Sequence, residues 1–310
     1  MNFSVTILGS GAALPTKNRM PTAQYVNCNN RHFLIDCAEG TQLQLRKYRL
    51  NFQKISHIFI SHLHGDHYFG LVGLISTMNL LGREKELTIY GPKELQRLIR
   101  PMFEFGGARL GFKVSFVELT MDTKTIIYED DIVEVHSFPL VHKIPTCGFL
   151  IKEKPKPLKI NPKKIKEYNL KIEHFKALQS AQDIILESGE RCKYQKLTLP
   201  AQEALSYAYC SDTKKSLTIA KYVKGATVLY HEATFLIKDQ KRATATTHST
   251  TKDAAEIAIA AEAQKLVVGH ISSRYKTNHQ HQKELTELFS NSGVVEDGMC
   301  IDLTKVQSKT

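Results

Sequence analysis

Four side chains of types that bind metals lie within six consecutive residues of this 310-residue chain, in the sequence HLHGDH. They are His62, His64, Asp66 and His67. Imidazole and carboxylate groups together suit zinc and similar divalent cations. His62 and His64 can bind one metal while Asp66 and His67 bind a second. The alternative, a solvated polar loop, is disfavoured because the four residues directly follow the apolar segment ending at Ile60.

Three more candidate ligands follow short apolar segments farther along the chain: His142, Asp212 and His270. Taken singly, each is also compatible with an ordinary core or turn residue. Taken with HLHGDH, they raise the set to seven ligands, five of them His. A set of this size is sufficient for a two-metal site in which one carboxylate bridges the metals.

The elements that must position these residues are short strands and helices. Hydrophobic patterning predicts strands at Ser4–Leu8, His32–Ile35, Ile55–Ile60, Ile132–His136, Leu205–Cys210, Thr227–Tyr230 and Lys265–Gly269. It predicts helices at Gly40–Leu50 and Leu71–Leu81, and a third that Thr250 opens and that continues through Ala263. Asp253 lies three residues after Thr250, the spacing of a capping box.

A basic segment interrupts this pattern. Between Lys152 and Lys176 there are nine Lys and three acidic residues, a balance of +6 out of the chain's net +11. Asn161-Pro162 is a typical helix start, Lys171–Gln182 can form a second helix, and Glu187–Glu190 is a turn. We expect a single domain over residues 1–310 with an inserted basic arm at about 152–195, which is too short and too polar to have a core of its own.

The composition limits the function classes. The net charge of +11 favours a polyanionic partner, which is a nucleic acid, a membrane surface or an acidic substrate, although a basic surface that only aids solubility gives the same charge. The six cysteines form no C-x-x-C pair, and no segment approaches the ~20 apolar residues that cross a bilayer. The N-terminus lacks the features of a signal peptide. These features predict a cytoplasmic protein without a membrane partner.

H-x-H-x-D-H after a strand resembles the metal signature of the metallo-β-lactamase superfamily. Further segments resemble the ribonuclease Z family within it, and they follow in the family's order over nearly the whole chain. They are ILGSGAALPT (Ile7–Thr16), FLIDCAEGTQ (Phe33–Gln42) with Asp36 in the acidic position, YCSDT with Asp212, HEATF (His231–Phe235), THST (Thr247–Thr250) and GHISSRY (Gly269–Tyr275).

The resemblance implies an α/β fold, the four-layer αββα sandwich, and two Zn²⁺ per chain. It assigns His62, His64 and His142 to one zinc, Asp66, His67 and His270 to the other, and Asp212 to the bridge. It marks Glu232 and His248 as a catalytic pair, and Asp66 as a further candidate base. Ser272, Ser273 and Arg274 directly follow a ligand, so we expect them to contact substrate phosphate, unless they form an ordinary polar loop.

The implied reaction is removal of the 3′ trailer from precursor tRNA, which leaves a 3′-hydroxyl on the tRNA and a 5′-phosphate on the trailer. A homodimer is also implied. Two departures from the family pattern stand out. Ala38 replaces a usual glycine, and Lys171–Gln182 lacks the Gly-Pro-rich stretch with which the family's arm grips tRNA.

Two other functions remain open at this point. A hydrolase of other phosphodiesters, or of small esters or lactones, would use the same metal ligands but would have little use for a basic arm. A non-catalytic RNA-binding protein with a structural metal would need the arm but not a bridging carboxylate such as Asp212.

Overall fold

A computed structural model of the chain describes residues 2–107 and 109–306. The chain divides into two compact units, one formed by residues 1–152 with 205–310 and the other by Glu153–Ala204. The larger unit contains two seven-stranded sheets. The smaller unit contains two short strand pairs and three helices.

The first sheet has the strand order β18-β1-β2-β3-β4-β5-β6. Strands β3 to β6 are parallel, and β1 pairs antiparallel with β2 and β18. Its strands are β1 (Phe3–Gly9), β2 (Ala23–Cys28), β3 (Arg31–Cys37), β4 (Ile55–Phe59), β5 (Leu87–Gly91), β6 (Val114–Glu118) and β18 (Cys300–Asp302).

The second sheet has the strand order β17-β16-β15-β14-β9-β8-β7, with β14 to β17 parallel. Its strands are β7 (Thr125–Glu129), β8 (Val133–Pro139), β9 (Cys147–Glu153), β14 (Ser206–Cys210), β15 (Val228–Glu232), β16 (Leu266–Gly269) and β17 (Ser292–Val294).

Seven of the helices described in the larger unit cover or border these sheets. They are α1 (Thr41–Lys47), α2 (Gly65–Tyr68), α3 (Leu71–Leu80), α4 (Leu95–Phe105), α8 (Leu217–Tyr222), α10 (Thr251–Ala260) and α11 (His279–Leu288). A further helix, α9 (Gln240–Thr246), lies close to the start of α10.

Three apolar clusters define the layers of the larger unit. Residues of both sheets, among them Phe33, Phe59, Phe149 and Tyr207, form one buried cluster between the two sheets. A second cluster joins the first sheet to α1, α3 and α4, and a third joins the second sheet to α8, α10 and α11. Burial of apolar surface on both faces of each sheet stabilises this arrangement. The predicted αββα sandwich is confirmed.

The smaller unit has an apolar cluster of its own, contrary to the expectation of a segment without a core. Its strands are β10 (Lys159–Ile160), β11 (Ile184–Ile185), β12 (Arg191–Cys192) and β13 (Thr198–Leu199), and its helices are α5 (Pro162–Glu167), α6 (Ile172–Gln179) and α7 (Tyr194–Leu197). Leu170, Leu178 and Leu197 are buried together with Ile184 and Cys192. The expectation was wrong because these apolar residues are spread thinly among lysines and meet only when the segment folds back on itself.

Most of the predicted elements are present, with shifted ends. Arg49 and Glu262 both have positive φ, a conformation that ends a helix, so α1 stops at Lys47 and α10 at Ala260. The capping box between Thr250 and Asp253 is confirmed. The hydrophobic pattern did not single out β2 and β9, because a strand that is buried on both faces shows no alternation of polar and apolar residues.

The six cysteines are free thiols, five of them buried and Cys300 exposed. Among the helices of residues 2–107 and 109–306, none has the length and apolar character that a membrane span requires.

Candidate metal centre

The candidate ligands lie where strands of both sheets end. β4 of the first sheet leads into His62 and His64, and β8 and β14 of the second sheet lead into His142 and Asp212. Parallel pairing of β15 with β16 aligns Glu232 with Gly269, so that His270 follows at the same edge. The carboxyl ends of parallel strands lie side by side, which brings the ligands of the second sheet together, and packing of the two sheets adds those that follow β4.

Three histidines form a group at one oxygen of Asp212. The Nε2 atoms of His62 and His142 lie 3.7 and 3.8 Å from Asp212 Oδ2. The Nδ1 atom of His64 lies 3.0 Å from His62 Nε2 and 3.3 Å from His142 Nε2. All four ligand atoms lie within 4.8 Å of one another.

A second group of ligands surrounds the other oxygen of the same carboxylate. The Nε2 atoms of His67 and His270 lie 3.4 and 3.2 Å from Asp212 Oδ1. The same two nitrogens lie 3.6 and 3.7 Å from Asp66 Oδ2. Asp212 therefore presents one oxygen to each group, which is the arrangement that a bridging ligand requires.

The donor atoms fit divalent cations. Ligand atoms around a tetrahedral zinc, at about 2.0–2.1 Å from nitrogen, are roughly 3.3 Å apart, close to the separations above. The Nε2 atoms of His67 and His270 are buried and have no hydrogen-bond partner among the described residues, although a buried polar atom normally has one. A metal ion would satisfy both atoms.

The charge state of the histidines agrees with this role. Burial lowers the pKa of His62, His64 and His142, which keeps these imidazoles in the neutral form that binds metals. For His67, burial also acts to lower the pKa, but the carboxylates of Asp212 and Asp36 outweigh it and raise the pKa well above its usual value. The centre around His67 therefore favours a positive charge, which a metal cation supplies as well as a proton does.

A buried network behind the ligands holds His67 in place. Asp36 Oδ2 lies 2.7 Å from His67 Nδ1 and accepts a 2.6 Å hydrogen bond from the Tyr209 hydroxyl. Ser61 donates to Asp36 from its backbone N–H and from its hydroxyl. Such partners fix the orientation of a metal-binding imidazole. The motif around Asp36 indicated this carboxylate, whereas Tyr209 lies in a strand pattern that carried no sign of a polar role.

Glu232, which is buried, and His248, which is partly buried, form a pair beside the candidate ligands. Glu232 Oε1 lies 2.8 Å from His248 Nδ1 and accepts from the Thr213 N–H, and Oε2 accepts from Thr234 and from the Ser249 N–H. Burial lowers the pKa of His248, but the charge and hydrogen bond of Glu232, together with the charges of Asp212 and Asp66, outweigh burial and raise the pKa to about 9. His248 is therefore held as a proton donor, with Nε2 left for another partner.

A cavity of about 430 Å³ opens over these groups. Asp66, Asp212, His248 and His270 line it, together with the predicted substrate-binding residues Ser272 and Ser273. Arg274, the third predicted residue, does not line this cavity. Its guanidinium lies over the Phe235 ring, 5.2 Å from the ring centroid, and 3.8 Å from Asp239.

Arg242, which the sequence patterns did not single out, lines this cavity. It lies in α9, between the HEATF and THST motifs, where no motif residue marks it.

Comparisons with known proteins agree with this architecture. The chain is 43% identical over 301 residues to a ribonuclease Z of Bacteroides thetaiotaomicron, covering 97% of this chain and 95% of the relative. It is 40% identical to a ribonuclease Z of Porphyromonas gingivalis, covering 97% and 99%. A family model described as anti-Pycsar protein Apyc1 matches residues 3–143, which is less than half of the chain.

Solved structures show the same likeness. The short form of human tRNase Z superposes with a TM-score of 0.71 at 27% identity, covering 97% of this chain and 99% of that one. The metallo-β-lactamase fold protein YhfI from Bacillus subtilis superposes with a TM-score of 0.67 at 16% identity, covering 97% and 100%, a likeness of fold alone.

The two sheets, their helical outer layers and the His/Asp cluster at the strand ends define a hydrolase with the metallo-β-lactamase fold. The chain belongs to the ribonuclease Z family, since it is 43% and 40% identical to two members of that family over nearly its full length. Its reaction class is therefore phosphodiester hydrolysis.

Proposed function

We propose that this chain removes the 3′ trailer from precursor tRNA as a zinc-dependent endoribonuclease, leaving a 3′-hydroxyl on the tRNA and a 5′-phosphate on the trailer. The observation that carries the proposal is the Asp212 carboxylate, whose two oxygens face two separate groups of ligands. A two-metal centre of this kind is the usual apparatus for cleaving a phosphodiester. The family relationship selects tRNA among phosphodiester substrates.

The proposed metal content is two Zn²⁺ per chain. His62, His64 and His142 would hold one ion, Asp66, His67 and His270 would hold the other, and Asp212 would be shared. When bound, the pair of ions supplies a nucleophilic hydroxide at neutral pH and neutralises charge on the scissile phosphate.

Two side chains of the protein, Asp66 and His248, would transfer protons, and Glu232 would orient His248. Asp66 accepts a 2.9 Å hydrogen bond from the Ala13 N–H. Burial raises the pKa of Asp66, but His270 and His67 outweigh burial and hold that pKa below its usual value, so Asp66 is ionised and would be a weak base. Glu232 orients His248 through Nδ1, so that Nε2 can donate a proton to the departing 3′ oxygen.

The neighbouring polar residues would position the substrate. Ser272 and Ser273 line the cavity and can donate hydrogen bonds to a phosphate. Arg274 lies outside that lining, so its predicted phosphate contact would fall farther from the metals.

The activity is tested by incubating the purified chain with a 3′-extended precursor tRNA, with bis(p-nitrophenyl) phosphate and with a lactone. We expect endonucleolytic trimming of the RNA with a 5′-phosphate on the trailer, and no lactone hydrolysis. Hydrolysis of the lactone without RNA cleavage would favour a small-molecule hydrolase. RNA binding without cleavage of any substrate would favour a non-catalytic RNA-binding protein.

We further propose that the residues 152–195 act as a tRNA-binding arm inserted in a single metallo-β-lactamase domain. The exposed lysines that carry the argument are Lys159, Lys163, Lys166 and Lys176. Phosphate contacts by lysine release condensed counterions, which makes affinity fall steeply with salt. Lys164 and Lys171 contribute less, because they pair with Glu167 and Glu187.

Changing these four exposed lysines to glutamine is expected to weaken precursor tRNA binding by about tenfold or more, and to flatten log K against log salt by ~0.9 for each lost phosphate contact. The lysine-to-arginine variant at the same four positions is the matched control, because it keeps the charge. Cleavage of the small phosphodiester should not change, since none of the four is a metal ligand. If the glutamine variant keeps the original affinity and salt slope, the lysines are merely a solvated surface.

A homodimer and a cytoplasmic location are also part of the proposal. Helices α3 and α4 contact each other and expose large apolar side chains, among them Leu80 at 83% and Phe105 at 91% exposure. Large exposed apolar side chains on two helices in contact are a candidate protein interface. The free thiols fit a reducing compartment.

Light scattering should give the unmodified chain twice its mass of 35.1 kDa. A double change of Leu80→Glu and Phe105→Glu is expected to give the monomer mass, because it would bury two charges without partners in the interface. Ile259→Glu, at a position 57% exposed on α10, is the control and should leave the dimer intact. A dimer that withstands the double change would place the interface elsewhere.

A further inference from the structure

Arg242 is a cation at the active-site cavity with no role in the proposed mechanism. It lines the cavity together with Asp212, His248 and His270, yet it is exposed, whereas Asp212 and His270 are buried. Arg242 therefore lies nearer to the mouth of the cavity than the candidate metal ligands do.

The helix α9 fixes which side chains face the cavity. Ala243 is completely buried, and the Gln240 side chain bonds to Thr250 and Asp253 at the start of α10. Arg242 and Thr246 are four residues apart, so they share one helix face, and both line the cavity. Lys241 is also exposed but is not part of that lining, since adjacent residues on a helix point about 100° apart.

The charge of Arg242 is unpaired within the part of the chain that the structure describes. Over residues 2–107 and 109–306, no carboxylate forms an ion pair with its guanidinium, although Asp66 and Asp212 line the same cavity. The oxygens of those two carboxylates lie against His67, His270, His62 and His142 instead. The guanidinium thus keeps its planar set of donors for a ligand, and that set matches two oxygens of a phosphate.

We propose that Arg242 binds a phosphate of the RNA next to the scissile phosphodiester, and so positions the chain for cleavage. The inference rests on the proposed function. The scissile phosphate must lie at the buried ligands, which leaves a neighbouring phosphate for a cation at the mouth. Arg242 is then a substrate-positioning residue, and it makes the site prefer a polynucleotide over a small diester.

The test compares Arg242→Ala with Lys241→Ala, which removes the same charge from the adjacent exposed position. For precursor tRNA, Arg242→Ala should lower kcat/KM by ~10- to 100-fold, the usual range for losing hydrogen bonds to a charged group. It should also reduce the slope of log K for RNA binding against log salt by about 0.7, as expected for the loss of one phosphate contact to a single strand. Hydrolysis of bis(p-nitrophenyl) phosphate, which has no second phosphate, should stay within about twofold, and Lys241→Ala should change neither substrate.

Two further measurements locate the contact. Arg242→Lys should keep the salt slope but recover only part of kcat/KM, because lysine retains the charge without the planar donor set. A modified precursor tRNA would carry one uncharged methylphosphonate, at a 2′-O-methyl nucleotide, next to the scissile position. The unmodified protein should cleave this precursor as slowly as Arg242→Ala cleaves the normal one. Arg242→Ala should cleave both precursors at the same rate.

Two results would overturn the inference. Equal losses on both substrates would mean that Arg242 contacts the scissile phosphate itself, and a loss no larger than that of Lys241→Ala would mean that it is a solvated charge. If the unmodified protein fails to trim precursor tRNA, the proposed function fails instead, so the two failures are distinguishable.

Discussion

Asp212→Ala is expected to empty both metal positions and to abolish turnover. Each Asp212 oxygen faces one ligand group, so the substitution removes a donor from both groups and the negative charge between them. The loss of activity should exceed the ~10- to 100-fold typical of removing a partner behind a ligand. Metal analysis of the purified variant should find fewer than one ion per chain, against two in the unmodified protein.

His62→Ala is the matched comparison for that experiment. His62 belongs to one group only, so its loss should lower the metal content to about one ion per chain. Circular dichroism would show that both variants are folded. A chain with Asp212→Ala that still holds two ions would show that Asp212 is not the bridge.

His248→Ala is expected to separate the chemistry from metal binding. The His248 ring faces Glu232 through Nδ1, and it belongs to neither of the two proposed ligand groups, although it also clusters with Asp212, Glu232 and His270. The variant should keep two metals and its affinity for precursor tRNA, yet cleave ~10²-fold more slowly in single-turnover experiments, which is the scale for losing a general acid. Single-turnover conditions matter because product release can hide a slower chemical step.

The pH profile gives a second readout for His248. A general acid works only while it is protonated, so cleavage should fall as the pH rises through the pKa of His248. That pKa is about 9 beside Glu232, and nearby divalent cations would shift it downwards. The unmodified protein should thus show a falling limb at or below about pH 9, and His248→Ala should lack it. If the variant keeps both the rate and the limb, His248 is only structural.

The local chemistry of the site was predictable from short stretches of sequence. HLHGDH follows a strand, and Asp212 and His270 also come directly after strands, in agreement with the apolar segments that precede them. The capping box of Thr250 and Asp253 and the N-cap of Asn161 were predictable for the same reason, since each depends on residues a few positions apart.

Contacts between distant segments were not predictable in this way. The arginine that sequence proximity to His270 indicated, Arg274, lies over Phe235, whereas Arg242 lines the cavity although it is 28 positions away from His270. Likewise, the apolar residues of Glu153–Ala204, among them Leu170 and Leu197, form a cluster only after folding, because they lie far apart in the sequence.

The sequence by itself determined the types of ligand, their positions at strand ends and the family to which they belong. Only the tertiary structure decided that the two oxygens of Asp212 face different histidine groups, that Glu232 lies 2.8 Å from His248, and that Arg242 reaches the cavity. The physical reason is that strand order and register place the ends of β8, β14, β15 and β16 at one edge of the second sheet, and packing of the two sheets brings the end of β4 to that edge. That order arises from burying apolar faces across the whole domain, which no short stretch of residues specifies.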